Sequence, residues 1–193
     1  MDGSPPGSLP ILTLPNVLTL FRVALVVPVA LLLIPEAPWA RWCAFALCLL
    51  ASLTDWADGY LARRRRQVSP FGRFLDPIAD KLLVAAVLVV LVATRDISGW
   101  EVAAAIAILA REILISGLRE YLGGSGVTVH VTRLAKWKTT MQLAALLLLI
   151  LAPVLGADWS WAAGALLWLA AALTLVTGFE YLRGGIAHMR RLP

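Results

Sequence analysis

Long apolar runs separated by short polar or helix-breaking turns dominate the chain. Six runs stand out, at about 16–34, 39–63, 71–94, 99–121, 134–153 and 160–182. Each approaches the roughly 20 residues that carry a helix across about 30 Å of hydrocarbon, provided that a few internal charges are accepted. The turns hold residues that stop or start helices: Pro35 and Pro38, Ser69 and Pro70, Ser98 and Gly99, Gly123 and Gly124, Pro153 and Gly156. The pattern predicts an all-α fold, an integral membrane bundle of six transmembrane helices forming one domain over 15–188. Residues 1–14 read as a flexible tail, and the opening MDGSPPGSLP lacks the basic n-region of a cleavable signal. Residues 189–193 read as a short basic C-terminal tail.

Composition makes lipid part of the solvent. Apolar residues account for 60% of the chain and charged residues for 15%, against roughly 45–50% and about 25% in soluble domains. A net charge of +5 would suit a nucleic acid, but the basic residues stand at the ends of apolar runs, and no nucleic acid partner is expected. Their placement orients the bundle instead. Arg63, Arg64, Arg65, Arg66 and Arg73 lie between the second and third runs, Arg133, Lys136 and Lys138 between the fourth and fifth, and Arg183, Arg190 and Arg191 after the sixth. The opposite turns hold only Arg41 and Arg95, beside Glu36, Asp96, Glu101 and Asp158. Lys and Arg favour the cytoplasmic side, so both termini are expected there. Trp39, Trp42, Trp100, Trp159 and Trp161 fall at the outer ends, where aromatic belts form. Cys43 and Cys48, five apart in one run, lie on different sides of a helix and read as small buried hydrophobes.

Four carboxylates break the apolar pattern: Asp55 and Asp58 in the second run, Asp76 and Asp80 in the third. A charge near the centre of a membrane helix costs about 2.5–3.5 kcal/mol, so four together need compensation. Depth supplies part of it. From Trp39 to Asp55 is 16 residues, about 24 Å of helix, which puts the first pair near the cytoplasmic edge. The second pair begins the returning helix at similar depth. Spacings of three and four set each pair on one helical face. Four anions facing one space repel each other unless a cation lies among them, and clustered oxygens suit a hard ion such as Mg²⁺, Mn²⁺ or Ca²⁺. Two such ions could clamp the attacking and leaving oxygens of a phosphate displacement. Gly59, Ala62 and Gly72 would leave a groove for a nucleotide or pyrophosphate, and the Arg63 fork matches phosphate oxygens. Gly59 is equally compatible with plain helix packing. Arg64, Arg65 and Arg66 read as orientation charges, and Pro77 as a kink in the third helix.

The whole run, Asp55-x2-Asp58-Gly59-x2-Ala62-Arg63-x8-Gly72-x3-Asp76-x3-Asp80, resembles the motif of the CDP-alcohol phosphatidyltransferase family at every fixed position. The resemblance implies that Asp55, Asp58, Asp76 and Asp80 hold divalent metal, two ions of Mg²⁺ or Mn²⁺. It further implies that Asp80 is the base that deprotonates the acceptor hydroxyl. Asp55, Gly59, Ala62, Arg63 and Gly72 would line the CDP site. Other stretches are similar to the bacterial branch of the family whose acceptor is glycerol 3-phosphate: Pro15-Asn16-x-Leu18-Thr19-x2-Arg22, Phe74-Leu75-Asp76-Pro77-x-Ala79-Asp80-Lys81, Arg111-Glu112-Ile113 through Gly117-Leu118-Arg119-Glu120, and Lys136-x-Lys138-Thr139-Thr140-x-Gln142. Together they cover about 15–185.

The cations support an anionic acceptor independently. Arg111 and Glu112 lie inside the fourth run, while Arg119, Lys136 and Lys138 flank the next cytoplasmic turn. A buried arginine needs an anion, and two readings stand: Glu112 as a structural partner, or a substrate phosphate held by Arg111, Arg119, Lys136 and Lys138. Lys81 is a candidate counter-ion for Asp80, and His130 and His188 read as surface histidines. The expected activity is transfer of a phosphatidyl group from CDP-diacylglycerol to glycerol 3-phosphate. It would occur at the cytoplasmic face of the cell inner membrane, in a membrane lipid environment, by a homodimer as is common in the family. Two alternatives remain. One is the same chemistry on inositol phosphate, serine or phosphatidylglycerol. The other is a cation transporter, which the confinement of all four acids to one level of the bundle disfavours.

Overall fold

Six helices form in chain order: α1 Leu14–Leu33, α2 Pro38–Arg65, α3 Pro70–Ala93, α4 Glu101–Gly124, α5 Arg133–Leu155 and α6 Ala157–Met189. The computed structural model describes the backbone of 13–65, 70–124 and 133–189. The side chains of 55–65, 133–136 and 187–189, with a few single positions, lie outside the described residues. The predicted runs and the helices agree to within a few residues except at the C-terminus, where α6 continues to Met189. At the other end Thr13, counted with the tail, is buried, and its carbonyl accepts from the Val17 N–H at 3.0 Å.

Turn chemistry explains most boundaries. Pro15 enters α1 in its first positions, where its missing N–H costs nothing. Gly99 and Gly156 adopt positive φ, +56° and +110°, conformations that side chains rarely take. Gly156 alone joins α5 to α6, its N–H donating to the Ala152 carbonyl at 3.0 Å. Pro153, expected in that turn, instead lies in the last turn of α5. Pro77 is likewise inside α3, which runs through it.

Small residues let the helices approach. Ala40, Ala44, Cys48 and Ala51 form a fully buried stripe at three- and four-residue spacing on α2. α1 packs against both α2 and α3, while α6 packs against α4 and α5. Val29, Leu33, Val87, Leu88, Leu91, Ile150 and Leu167 fill the shared core. Cys48 is buried as expected, but Cys43 is exposed; the five-residue step that separates the thiols turns Cys43 off the buried stripe.

Among the described residues three helical stretches are long and apolar enough to cross a membrane, Asn16–Leu33, Trp137–Leu155 and Ala157–Ile186. Charges interrupt the other three helices. At the end where α2 and α4 begin, Arg41 is buried and meets Asp96 at 2.7 Å, and Asp96 also accepts from Thr94 Oγ1 at 2.6 Å. Trp39, Trp42, Trp100, Trp159 and Trp161 are all exposed at this end.

Candidate active site

A cavity of about 270 Å³ opens between the helices, and every helix from α1 to α5 contributes to its wall. Arg22 comes from α1, Ser52 from α2, Asp80 and Lys81 from α3, Arg111, Glu112 and Arg119 from α4, and Lys138 and Gln142 from α5. A polar chamber inside an apolar bundle is costly to build, which makes it the candidate functional site.

The acids of α3 are held from α1. Asp76 and Asp80 are one turn apart, and so, nearly, are Thr19 and Arg22. Thr19 Oγ1 donates to Asp76 Oδ1 at 2.7 Å, and Arg22 donates to Asp80 Oδ1 at 2.5 Å. The arginine side chain is 2% exposed and the aspartate 50%. The buried donor thus fixes the orientation of a carboxylate that still reaches solvent. Lys81 turns its ammonium to the Pro77 carbonyl at 2.8 Å. Its side chain bonds within its own helix, yet it lines the cavity beside Asp80.

The cations gather around one glutamate. Glu112 Oε1 accepts from Arg111 at 3.3 Å and pairs with Lys138 from α5. Arg111 also donates from Nε to the Thr174 carbonyl at 3.1 Å and from its second terminal nitrogen to Thr177 Oγ1 at 3.3 Å, both on α6. These bonds use three of the five guanidinium N–H groups. Arg111 therefore ties α4 to α6 while facing the cavity, and Gly178 makes room for it: a Cβ there would stand 2.8 Å from Arg111 Cγ. Arg119 is exposed, with its guanidinium 5.9 Å from the Tyr181 ring centroid.

Of the residues expected at the site, Asp80, Arg111, Arg119 and Lys138 share the cavity wall, and Asp76 lies one turn away on α3. Gly72 is buried in the first turn of α3. Asp55, Asp58, Gly59, Ala62, Arg63 and Lys136 have side chains outside the described residues. Two of the four expected metal ligands are thus undescribed, and among the described residues no group of three or more His, Cys, Asp or Glu is gathered. The α3 pair nevertheless fits a hard cation: two carboxylates at one-turn spacing, oxygen donors only, each oriented by a hydrogen bond from behind. Thr19, Arg22 and Gln142 were seen in the sequence only within matching stretches, with no role at the site. Arg22 carried a signal, as the one charged residue in the first apolar run.

Comparison with known proteins adds a family. The family model for CDP-alcohol phosphatidyltransferase matches residues 12–176. A Cereibacter sphaeroides protein named CDP-diacylglycerol–glycerol-3-phosphate 3-phosphatidyltransferase is 36% identical over 215 residues, covering 92% of this chain and 97% of its own. A Rickettsia bellii protein of the same name is 42% identical over 174 residues, covering 88% and 93%. A rice protein named cardiolipin synthase (CMP-forming) is 43% identical over 161 residues, covering 77% of this chain and 49% of its own.

Proposed function

This chain belongs to the CDP-alcohol phosphatidyltransferase family, and we propose that it transfers the phosphatidyl group of CDP-diacylglycerol to glycerol 3-phosphate, giving phosphatidylglycerol phosphate and CMP. One observation carries the reading: a single cavity has a half-exposed carboxylate, Asp80, and the cations Arg111, Arg119 and Lys138 in its wall. An acceptor with a hydroxyl at one end and a phosphate at the other matches those two chemistries.

Asp80 takes the proton of the acceptor hydroxyl, whose oxygen forms a bond to the phosphatidyl phosphorus as the bond to CMP breaks. Arg22 holds that carboxylate in place from α1, and Thr19 does the same for Asp76. Arg119, Lys138 and the remaining N–H groups of Arg111 receive the acceptor phosphate. Asp55, Asp58, Asp76 and Asp80 would hold Mg²⁺ or Mn²⁺, two ions in our reading, which when bound neutralises charge on the pyrophosphate. On α2, Asp55 and Asp58 follow Ala51 of the cavity wall by four and seven residues, the register of one helical face. Gly59, Ala62, Arg63 and Gly72 border the CDP moiety.

All six helices cross the membrane, with both termini and the cavity mouth on the cytoplasmic side of a bacterial inner membrane. The basic clusters support that orientation. So does the Arg41–Asp96 pair, which neutralises charge at the opposite end. The domain spans 15–188, and the enzyme works as a homodimer. The identity to the rice cardiolipin synthase favours one second reading, a lipid acceptor bearing a glycerol headgroup. Purified protein incubated with CDP-diacylglycerol, Mg²⁺ or Mn²⁺ and each alcohol separately, followed by product mass, decides between them. Phosphatidylglycerol phosphate and CMP are expected with glycerol 3-phosphate. CMP release only with phosphatidylglycerol would replace the acceptor, and no CMP release with any alcohol would reject the transferase reading.

A further inference from the structure

We infer that Gln142 is a specificity-determining residue that reads the middle hydroxyl of the acceptor. The inference rests on the acceptor proposed above and goes on to say how glycerol is told from a plain three-carbon alcohol. Glycerol 3-phosphate carries three groups in a row: a phosphate, a central hydroxyl and the terminal hydroxyl that attacks. The cations around Glu112 suit the first and Asp80 suits the last. A central hydroxyl pressed against apolar wall would lose its water without compensation, a penalty of about 1–3 kcal/mol.

Gln142 meets the need. It follows Lys138 by one helical turn on α5, so the two share a face, and both line the same cavity. Gln142 is 6% exposed, and no hydrogen bond ties its amide to another described residue. Nor is its amide among the buried polar atoms sealed away without a partner. A glutamine buried to this degree, with its polar end open to the chamber, offers both a donor and an acceptor to a ligand hydroxyl. Leu143 and Leu146 on the same wall supply neither, the Ser52 hydroxyl already donates to the Cys48 carbonyl, and the remaining hydroxyls, Ser116 and Thr139, lack the paired donor and acceptor atoms of an amide. Gln142 therefore gives the cavity a third recognition point beside the phosphate cluster and the base.

The test compares two acceptors on one preparation, so that the folded fraction cancels. Glycerol 3-phosphate and 3-hydroxypropyl phosphate differ only in the central hydroxyl. Wild-type protein in detergent should favour the first by roughly 10- to 100-fold in kcat/KM. In Gln142→Met the preference should collapse to within about threefold, through loss on glycerol 3-phosphate with little change on the analogue. Gln142→Asn, whose amide falls short by one methylene, is measured alongside, so that the ratio is obtained even if one variant does not fold; it should lose most of the preference. A wild-type ratio in either variant overturns the role of Gln142 alone and leaves the transferase reading standing. Failure of wild-type protein to use glycerol 3-phosphate overturns the acceptor and this inference with it.

Discussion

Replacing Arg22 with Met separates a residue that positions chemistry from one that holds the fold. Arg22 is nearly fully buried and donates to Asp80 at 2.5 Å. A hydrogen bond of this charge-assisted kind contributes about 1.5–3 kcal/mol. Because Asp80 is half exposed, water replaces part of the lost interaction, and the lower end applies, about 1.5 kcal/mol. At about 1.36 kcal/mol per tenfold in rate, kcat/KM should drop roughly 10-fold through misorientation of the base. Stability should change far less, because methionine keeps most of the volume and the carboxylate left behind is half exposed. The assay is CMP release from CDP-diacylglycerol in detergent, with the melting temperature taken on the same preparation. Arg22→Lys, which keeps the charge but loses the planar fork, should fall between wild type and Met. A kcat/KM within twofold of wild type in Arg22→Met would refute the positioning role, and lost activity that merely tracked a lower melting temperature would assign Arg22 to the fold.

Asp80→Asn should abolish turnover while leaving CDP-diacylglycerol binding measurable by tryptophan fluorescence; residual turnover above about 1% would remove the proposed base. Gly178→Ala places a methyl 2.8 Å from Arg111 Cγ, so Arg111 must shift at a cost of about 1–3 kcal/mol. The melting temperature should fall, and KM for glycerol 3-phosphate should rise severalfold with a smaller change in kcat. Asp96→Asn leaves Arg41 buried without its counter-charge, a loss of about 3–5 kcal/mol; thermal stability should drop while KM for both substrates stays constant below the new melting point. Chelation with EDTA should stop CMP release, and Mg²⁺ or Mn²⁺ should restore it while raising the melting temperature of wild type more than that of Asp76→Asn.

Much of the site was legible because local spacing encodes it. Asp76 and Asp80 share a face by their four-residue step, and charged residues inside apolar runs single out Arg111 and Glu112. What spacing does not encode is which helix each face meets. Arg22 finds its carboxylate 58 residues away, and Arg111 bonds to α6 some 63 and 66 residues on. Nothing in a one-dimensional pattern selects those partners over others at the same depth. Cys43 shows the same gap from the other side: it is as apolar as Cys48, but only the register of α2 against α1 decides which thiol is enclosed. Pro153 differs from the turn position expected for it because α5 runs only two residues beyond it, so a proline that ends a helix leaves the exact last residue open.

The contacts from α1 to α3 have a consequence for biosynthesis. Thr19 and Arg22 precede Asp76 and Asp80 by 57 and 58 residues in the order of synthesis, and the cations of α4 and α5 come later still. The acids of α3 thus follow their donors in the chain, while a chain not yet through its fifth helix lacks Lys138, the cation that pairs with Glu112.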